Sequence, residues 1–556
     1  YYDNTFTTTP YKYYLKSYDF ETGEHTLAGK DNALASKTLR AGRGGNTTDT
    51  RVTYEGRLYH TAAWGNHQTS LTGVVQAYER TFTPIQSVLN GMPQRNLTYS
   101  VRGSYGYKDR YFGEVSVGYN GSERFAKGNR MGVFPAFGAA WVASNEKWMQ
   151  RTSDWLSFLK FRFSWGKVGN DGIISTPRYV YLQDIGSTSS GTTKDVEAYR
   201  TGGFNRRIIN FYGDEDIQWE IAEQANLGVE TKLFKGLLEI QADIYQEFRH
   251  NILSKRYVIP ANVGIEVAPL DNIGKTRSRG IDLSAKIQHQ FSNDFWVILN
   301  GTLTYNKVKY EEIEEATNKP SWQRMKGKEI SQAIGYIAEG LFRDEAEIAN
   351  SPRQDGDVMP GDIKYRDLNG DGSITVADAT YIGYPETPRL IYGFSGFINY
   401  KRFEFSFSFQ GSGKRTFFVN PSAISPFVGN HAMLTAIYND HWSEDNMATR
   451  PFWPRLSPQN ITAHNPQENW YAGAETRKST YFMRECSFLR CTSIQLAYNM
   501  PRKLLNKWRM QNMKFFVSTN NPFCFTNFKL WDVELGENGF NYPIQRTYSL
   551  GFNISF

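Results

Sequence analysis

The sequence predicts an all-β fold, a transmembrane antiparallel β-barrel, and three observations predict it. Segments alternating apolar and polar residues, many of them about ten residues long, recur from one end of the chain to the other. The links between them are alternately short and long. The composition is rich in aromatics (15%, with 34 Tyr and 37 Phe) and in glycine (48), yet the mean hydropathy is −0.54. A helical membrane protein cannot be that polar, because each span needs about 20 consecutive apolar residues. The richest apolar stretch, Val133–Ala143, falls far short. A barrel tolerates the polarity because only alternate residues of a strand meet lipid. At 556 residues the chain exceeds an ordinary soluble domain, but no linker, low-complexity block or composition shift divides it. One large barrel accounts for that length.

The strands follow from period-2 patterning. Tyr111, Gly113, Val115, Val117 and Tyr119 share one face, opposite Glu114, Ser116, Gly118 and Asn120. Leu159, Phe161, Phe163 and Trp165 alternate with Lys160, Arg162 and Ser164, and Leu238, Ile240, Ala242 and Ile244 with Glu239, Gln241 and Asp243. Phe403, Phe405, Phe407 and Phe409 alternate with Glu404, Ser406, Ser408 and Gln410. Charge on the polar side suits a hydrated lumen. Roughly fifteen or sixteen strands are expected. Tight links fall at Tyr107–Asp109, Phe234–Gly236, Gln290–Asp294 and Tyr400–Arg402. Long Gly/Pro/Asn-rich segments lie between, at Asn170–Gln224, His250–Arg277, Glu311–Arg389 and Gly411–Glu485. If the last strand, Arg546–Phe556, runs toward the periplasm, every tight link is periplasmic and every long segment extracellular. Two links of intermediate length, Ser144–Trp155 and Pro501–Gln511, keep the same parity. The last strand presents Tyr548, Leu550, Phe552, Ile554 and a terminal Phe556 on one face, as a signal for outer-membrane insertion would.

Other classes find little support. The charge of +7 is dispersed among acidic residues, so no nucleic-acid partner is expected. Cys486, Cys491 and Cys524 lack metal-ligand spacing and read as free thiols. No HExxH, GxSxG, Walker or GxGxxG motif occurs. The acidic pairs Glu311/Glu312 and Glu314/Glu315 read as a charged loop rather than as glycosidase carboxylates. No catalytic residue is expected. The chain begins at Tyr1 without the signal peptide an outer-membrane protein needs, so a mature or incomplete chain is expected.

One segment matches the calcium loop of EF-hands: Asp367, Asn369, Asp371, Ser373, Thr375 and Asp378 occupy positions 1, 3, 5, 7, 9 and 12, with Gly372 at position 6. Asp in place of Glu at position 12 resembles dockerin-type loops. A structural calcium bracing the 311–389 loop is expected.

Seven stretches spread over the whole chain resemble the SusC/RagA family of TonB-dependent transporters from Bacteroidetes. They are Tyr107–Trp141, Asp154–Asn170, Asp216–Glu230, Gly361–Ile374, Ser487–Leu505, Phe515–Glu534 and Tyr542–Phe556. Their order and spacing carry the resemblance. It implies an outer-membrane barrel of about 22 strands holding a plug, a TonB box, a SusD-like lipoprotein over the mouth, and import of a glycan or peptide. No plug or TonB box is present, and roughly six or seven strands are wanting. Residues 1–556 are therefore expected to be the C-terminal portion of such a barrel, completed by an N-terminal part in the same protein or a second chain. Trp322, Trp442, Trp453, Trp470, Tyr471 and Trp531 in the long segments are candidates for stacking on ligand or meeting the lid, with packing inside the loops the plainer expectation. Trp141, Trp155, Trp165 and Tyr498 suit an interfacial girdle. The rival readings are a passive porin and a secreted β-sandwich adhesin or carbohydrate-binding protein.

Overall fold

Alternating sequences of this kind become paired strands, because pairing satisfies the backbone while sending the apolar residues to one face and the polar residues to the other. In the computed structural model the described residues are 48–556 without 84–90, 173–177, 189–205, 266, 427–431, 448–450, 458–477 and 538; ahead of 48 they are 4–7, 13–18, 22, 24–29 and 40–43. Fifteen strands form an up-and-down meander in which every neighbour pairs antiparallel. They are β1 (Thr48–Trp64), β2 (His67–Thr83), β3 (Gln94–Tyr107), β4 (Tyr111–Ser122), β5 (Met131–Val142), β6 (Leu156–Asn170), β7 (Glu220–Leu233) and β8 (Leu238–Lys255). There follow β9 (Leu270–Ser292), β10 (Phe295–Glu312), β11 (Leu390–Tyr400), β12 (Phe403–Gly413), β13 (Phe488–Asn499), β14 (Asn512–Asn520) and β15 (Thr547–Ser555). A short strand, Cys524–Thr526, pairs with β13 and brings the sheet to 16. The expected count is met.

The turns explain the one-sided shape. At one end the links are short, and left-handed residues close them: Gly65, Lys108, Asp109, Phe234, Lys235 and Lys401 all have positive φ. The longer turn-side links keep the same parity, one formed by 3-10 turns at Ala143–Asn145 and Lys147–Thr152, the other by the helix Arg502–Trp508. At the other end lie the long connections. One expectation is corrected here. Half of His250–Arg277 is strand, because β8 continues to Lys255 and β9 starts at Leu270. A bulge at the left-handed Asn251 resets the register after Arg249, hiding the continuation from period-2 reading.

The two faces differ as a barrel requires. Outward stand Val115, Phe137, Phe163, Leu227, Ile244, Ile281 and Leu303, all exposed and on one face of the sheet across β4–β10. The opposite face carries Glu114, Ser164, Asn226, Asp243, Asp282 and Thr304. Buried cores occur only beyond the long-loop end among the described residues. The smaller packs Phe125, Phe134, Val180, Ile217 and Trp219. Gly169 makes its slot: a Cβ there would lie 2.0 Å from the Phe134 ring.

Candidate functional site

Two features occupy the polar side and the mouth. The first is the lumenal wall. A recess of about 1060 Å³ is lined by Glu114, Ser116, Gln224, Asn226, Asp282 and Asn306, among others. Just below it the wall is tied laterally. Arg162 on β6 reaches across β7 to Asp243 on β8, with Nη2 2.9 and 2.8 Å from the two carboxylate oxygens. Its Nε lies 2.8 Å from Glu230 Oε1, and Lys160 lies 3.4 Å from the same oxygen. Gly228 permits the crossing, since a Cβ there would sit 2.5 Å from Asp243 Oδ1 and 2.9 Å from Arg162 Nε. On the next strands Thr304 donates to Asp282 at 2.7 Å. Sequence alternation marked Arg162 and Asp243 as polar-face residues, but their pairing depends on register, which only the sheet defines.

The second feature is a folded headpiece. The segments 313–389, 414–487 and 521–546 share one buried core, including Tyr336, Ile363, Tyr365, Val419, Ile437, Tyr481, Phe482 and Val533. Small sheets stitch them together: Ala333–Tyr336 pairs with Thr380–Ile382 and with Lys478–Ser479. Buried charges are matched. Arg455 meets the fully buried Asp362 at 2.8 Å, and Arg490 meets Asp532 at 2.6 Å. Burial pushes the Tyr336 and Tyr365 phenols and the Cys486 thiol up, so none is poised to ionise near neutrality. All three cysteines are free.

Three of the six candidate aromatics fall into this core. Trp453 is buried against Phe482, so it is a packing residue and cannot face a ligand. Trp442 packs on the same cluster and covers Gly361. Trp531 packs edge-on to Phe528 and donates to the Gly536 carbonyl at 3.0 Å. Trp322 donates to the Ala377 carbonyl at 2.8 Å. Trp470 and Tyr471 lie outside the described residues. The acidic pairs are struts: Glu311 meets Arg277, Glu312 meets Lys275, Glu314 meets Arg256, and Glu315 meets Lys319.

The 367–378 loop is only partly arranged as a cation site. Asp367 accepts from the Gly370 and Gly372 amides at 2.6 and 2.8 Å, Asn369 from the Asp371 amide at 3.0 Å, and Asp371 from the Ser373 amide at 2.8 Å. Gly370 and Gly372 are left-handed. These bonds leave acceptor capacity on an exposed rim. Asp378 is different: it is fully buried and accepts from the Leu368 and Thr375 amides at 2.8 and 2.7 Å, and Thr375 caps the turn that follows by accepting from Ala377. Among the described residues no three Asp, Glu, His or Cys side chains converge on one point.

On the last strand Tyr548, Leu550 and Phe552 point outward and are well exposed, Ile554 shares their face, and Phe556 just past the strand is exposed too. An up-and-down sheet that is apolar outside and polar inside, turned tightly at one end and capped at the other, defines the wall of an outer-membrane β-barrel. The chain belongs to the family described as TonB dependent receptor-like, beta-barrel, which matches residues 1–442, and is of the SusC/RagA type. It is similar to TonB-dependent receptor P26 of Formosa agariphila (25% identical over 509 residues, 85% of this chain and 48% of that protein). It is also similar to TonB-dependent receptor SusC of Bacteroides thetaiotaomicron (25% over 482 residues, 83% and 44%). The chain thus spans about half the length of these relatives. A solved structure of the RagAB peptide transporter shares the fold, with a TM-score of 0.69 and 19% identity over 92% of this chain and 56% of that one. These relatives are described as receptors and transporters, not enzymes.

Proposed function

We propose that this chain is the C-terminal wall of an energy-coupled importer. A glycan or peptide is enclosed between the barrel and a SusD-like lipoprotein, and TonB pulls on a plug held in the lumen to release it. One observation supports the reading: the sheet has a polar lumenal wall, and at its long-loop end three separate connections build one headpiece together. A passive pore has no use for so large a folded cap, whereas a lipoprotein lid needs a firm surface to close on. The outward aromatics of β15, ending at Phe556, serve barrel insertion, and calcium held on the rim by Asp367, Asn369 and Asp371 braces the 313–389 connection.

Co-purification from detergent-solubilised outer membranes tests the reading. Recovery of a SusD-like lipoprotein and a plug-bearing polypeptide is expected, and recovery of neither would sink it. Liposome swelling by the purified protein would count for a porin instead.

A further inference from the structure

The outward face of β9 and β10 carries charges that import does not use. Register places Arg277 opposite Lys309 and Arg279 opposite Lys307. They share the outward face with Ile281 and Leu303, just below them on the same strands. Like charges directly opposite one another destabilise a sheet, so anions are expected nearby. Two are supplied by the protein: Glu311 meets Arg277 at 2.8 Å and Glu329 meets Lys307 at 3.2 Å. Arg279 and Lys309 are exposed, and among the described residues neither meets a carboxylate within ion-pair distance. Arg279 Nε instead donates to Gln246 at 2.8 Å, and among the described residues the rest of its guanidinium fork is free.

Their height says what they meet. From Phe291 to Ile281 on β9, and from Phe295 to Tyr305 on β10, the outward residues are apolar or aromatic apart from His289 and Gly301. At about 3.3 Å per residue and a strand tilt near 40°, those stretches rise about 25 Å, the full apolar band of an outer-membrane barrel. Arg279 and Lys307 occupy the next outward position, with Arg277 and Lys309 one further up. All four therefore stand among the headgroups of the outer leaflet. Diagonal partners across a sheet are about 7–8 Å apart, within reach of long side chains, so Arg279 and Lys309 can grip one phosphate group between them.

We propose that Arg279 and Lys309, flanked by Arg277 and Lys307, seat a phosphate of an outer-leaflet lipid, fixing the barrel against its membrane on the β9–β10 side. The test titrates the detergent-purified protein with micelles containing diphosphorylated lipid A, with dephosphorylated lipid A, and with inorganic phosphate as competitor. The phosphorylated lipid should bind, the Arg279→Gln/Lys309→Gln double variant should bind it about thirtyfold more weakly, and Arg279→Lys should retain most of the affinity. Equal binding of the dephosphorylated lipid or by the double variant overturns the proposal. Displacement by inorganic phosphate also overturns it, because the site would then be one for the free ion. In micelles without phosphate the double variant should melt no lower than the parent protein, since it removes uncompensated repulsion; a lower melting point there would refute the counter-charge argument.

Discussion

At the scale of single residues, the most informative position has no side chain. Gly228 sits beneath the Arg162–Asp243 pair, and any Cβ intrudes on both groups. Asp243 is 6% exposed, so separating it from Arg162 leaves a carboxylate that water reaches poorly. Gly228→Ala should therefore cost about 1–3 kcal/mol, read as a lower urea midpoint of the refolded barrel. A variant as stable as the parent would show that the ion pair does not depend on the gap. Asp367 offers a second test. The Gly372 and Gly370 amides hold its carboxyl below the usual range. A lowered pKa means that the charge is complete above the ordinary aspartate range and is lost as pH falls through the depressed value. Calcium should slow proteolysis within 353–379 relative to a chelator, less so in acid, and Asp367→Ala should abolish the difference. Equal cleavage with and without calcium would remove the metal from this account.

Among elements, the strands were legible and the headpiece was not, for physical reasons. A strand in a barrel wall has one face in lipid and one in water, so its alternation is written into consecutive residues such as Phe403–Gln410. The headpiece core joins Ile363, Ile437, Phe482 and Val533 from three connections, with no period linking them. Above the lipid band the two faces of β8 and β9 cease to differ, which is why their upper ends resembled loop. The candidate cation loop was legible as a motif, but the burial of Asp378 was not, because it depends on what packs over position 12. Shared burial has a consequence. Trp453→Ala should cost about 3–5 kcal/mol and open the headpiece as one unit. Hydrogen exchange should then rise together in 333–341, 417–424 and 478–486, with β11 and β12 still protected. Faster exchange confined to the neighbourhood of residue 453 would show that the three connections are independent.

For the molecule as a whole, the sheet's two ends set the strongest constraint. The meander runs from β1 to β15, and these two strands do not pair with each other among the described residues. β1 exposes Val52, Tyr54, Leu58 and Tyr59, and β15 exposes Tyr548, Leu550 and Phe552. Among the described residues each edge strand offers unpaired backbone groups at a depth where water cannot satisfy them, at several kcal/mol apiece. Closing the fifteen-strand meander on itself would be one remedy, but it would make an odd-numbered barrel, whereas bacterial single-chain barrels have even strand numbers. Additional strands bridging β1 and β15 are the better solution, and relatives about twice this length have chain to supply them. The 48–556 segment produced alone should therefore fail to give the heat-modifiable gel mobility of a closed barrel, while the same segment joined to, or co-refolded with, the N-terminal half of such a protein should give it. Heat-modifiable mobility from the segment alone would mean that β1 and β15 do close on each other, and the wall would be complete without further strands.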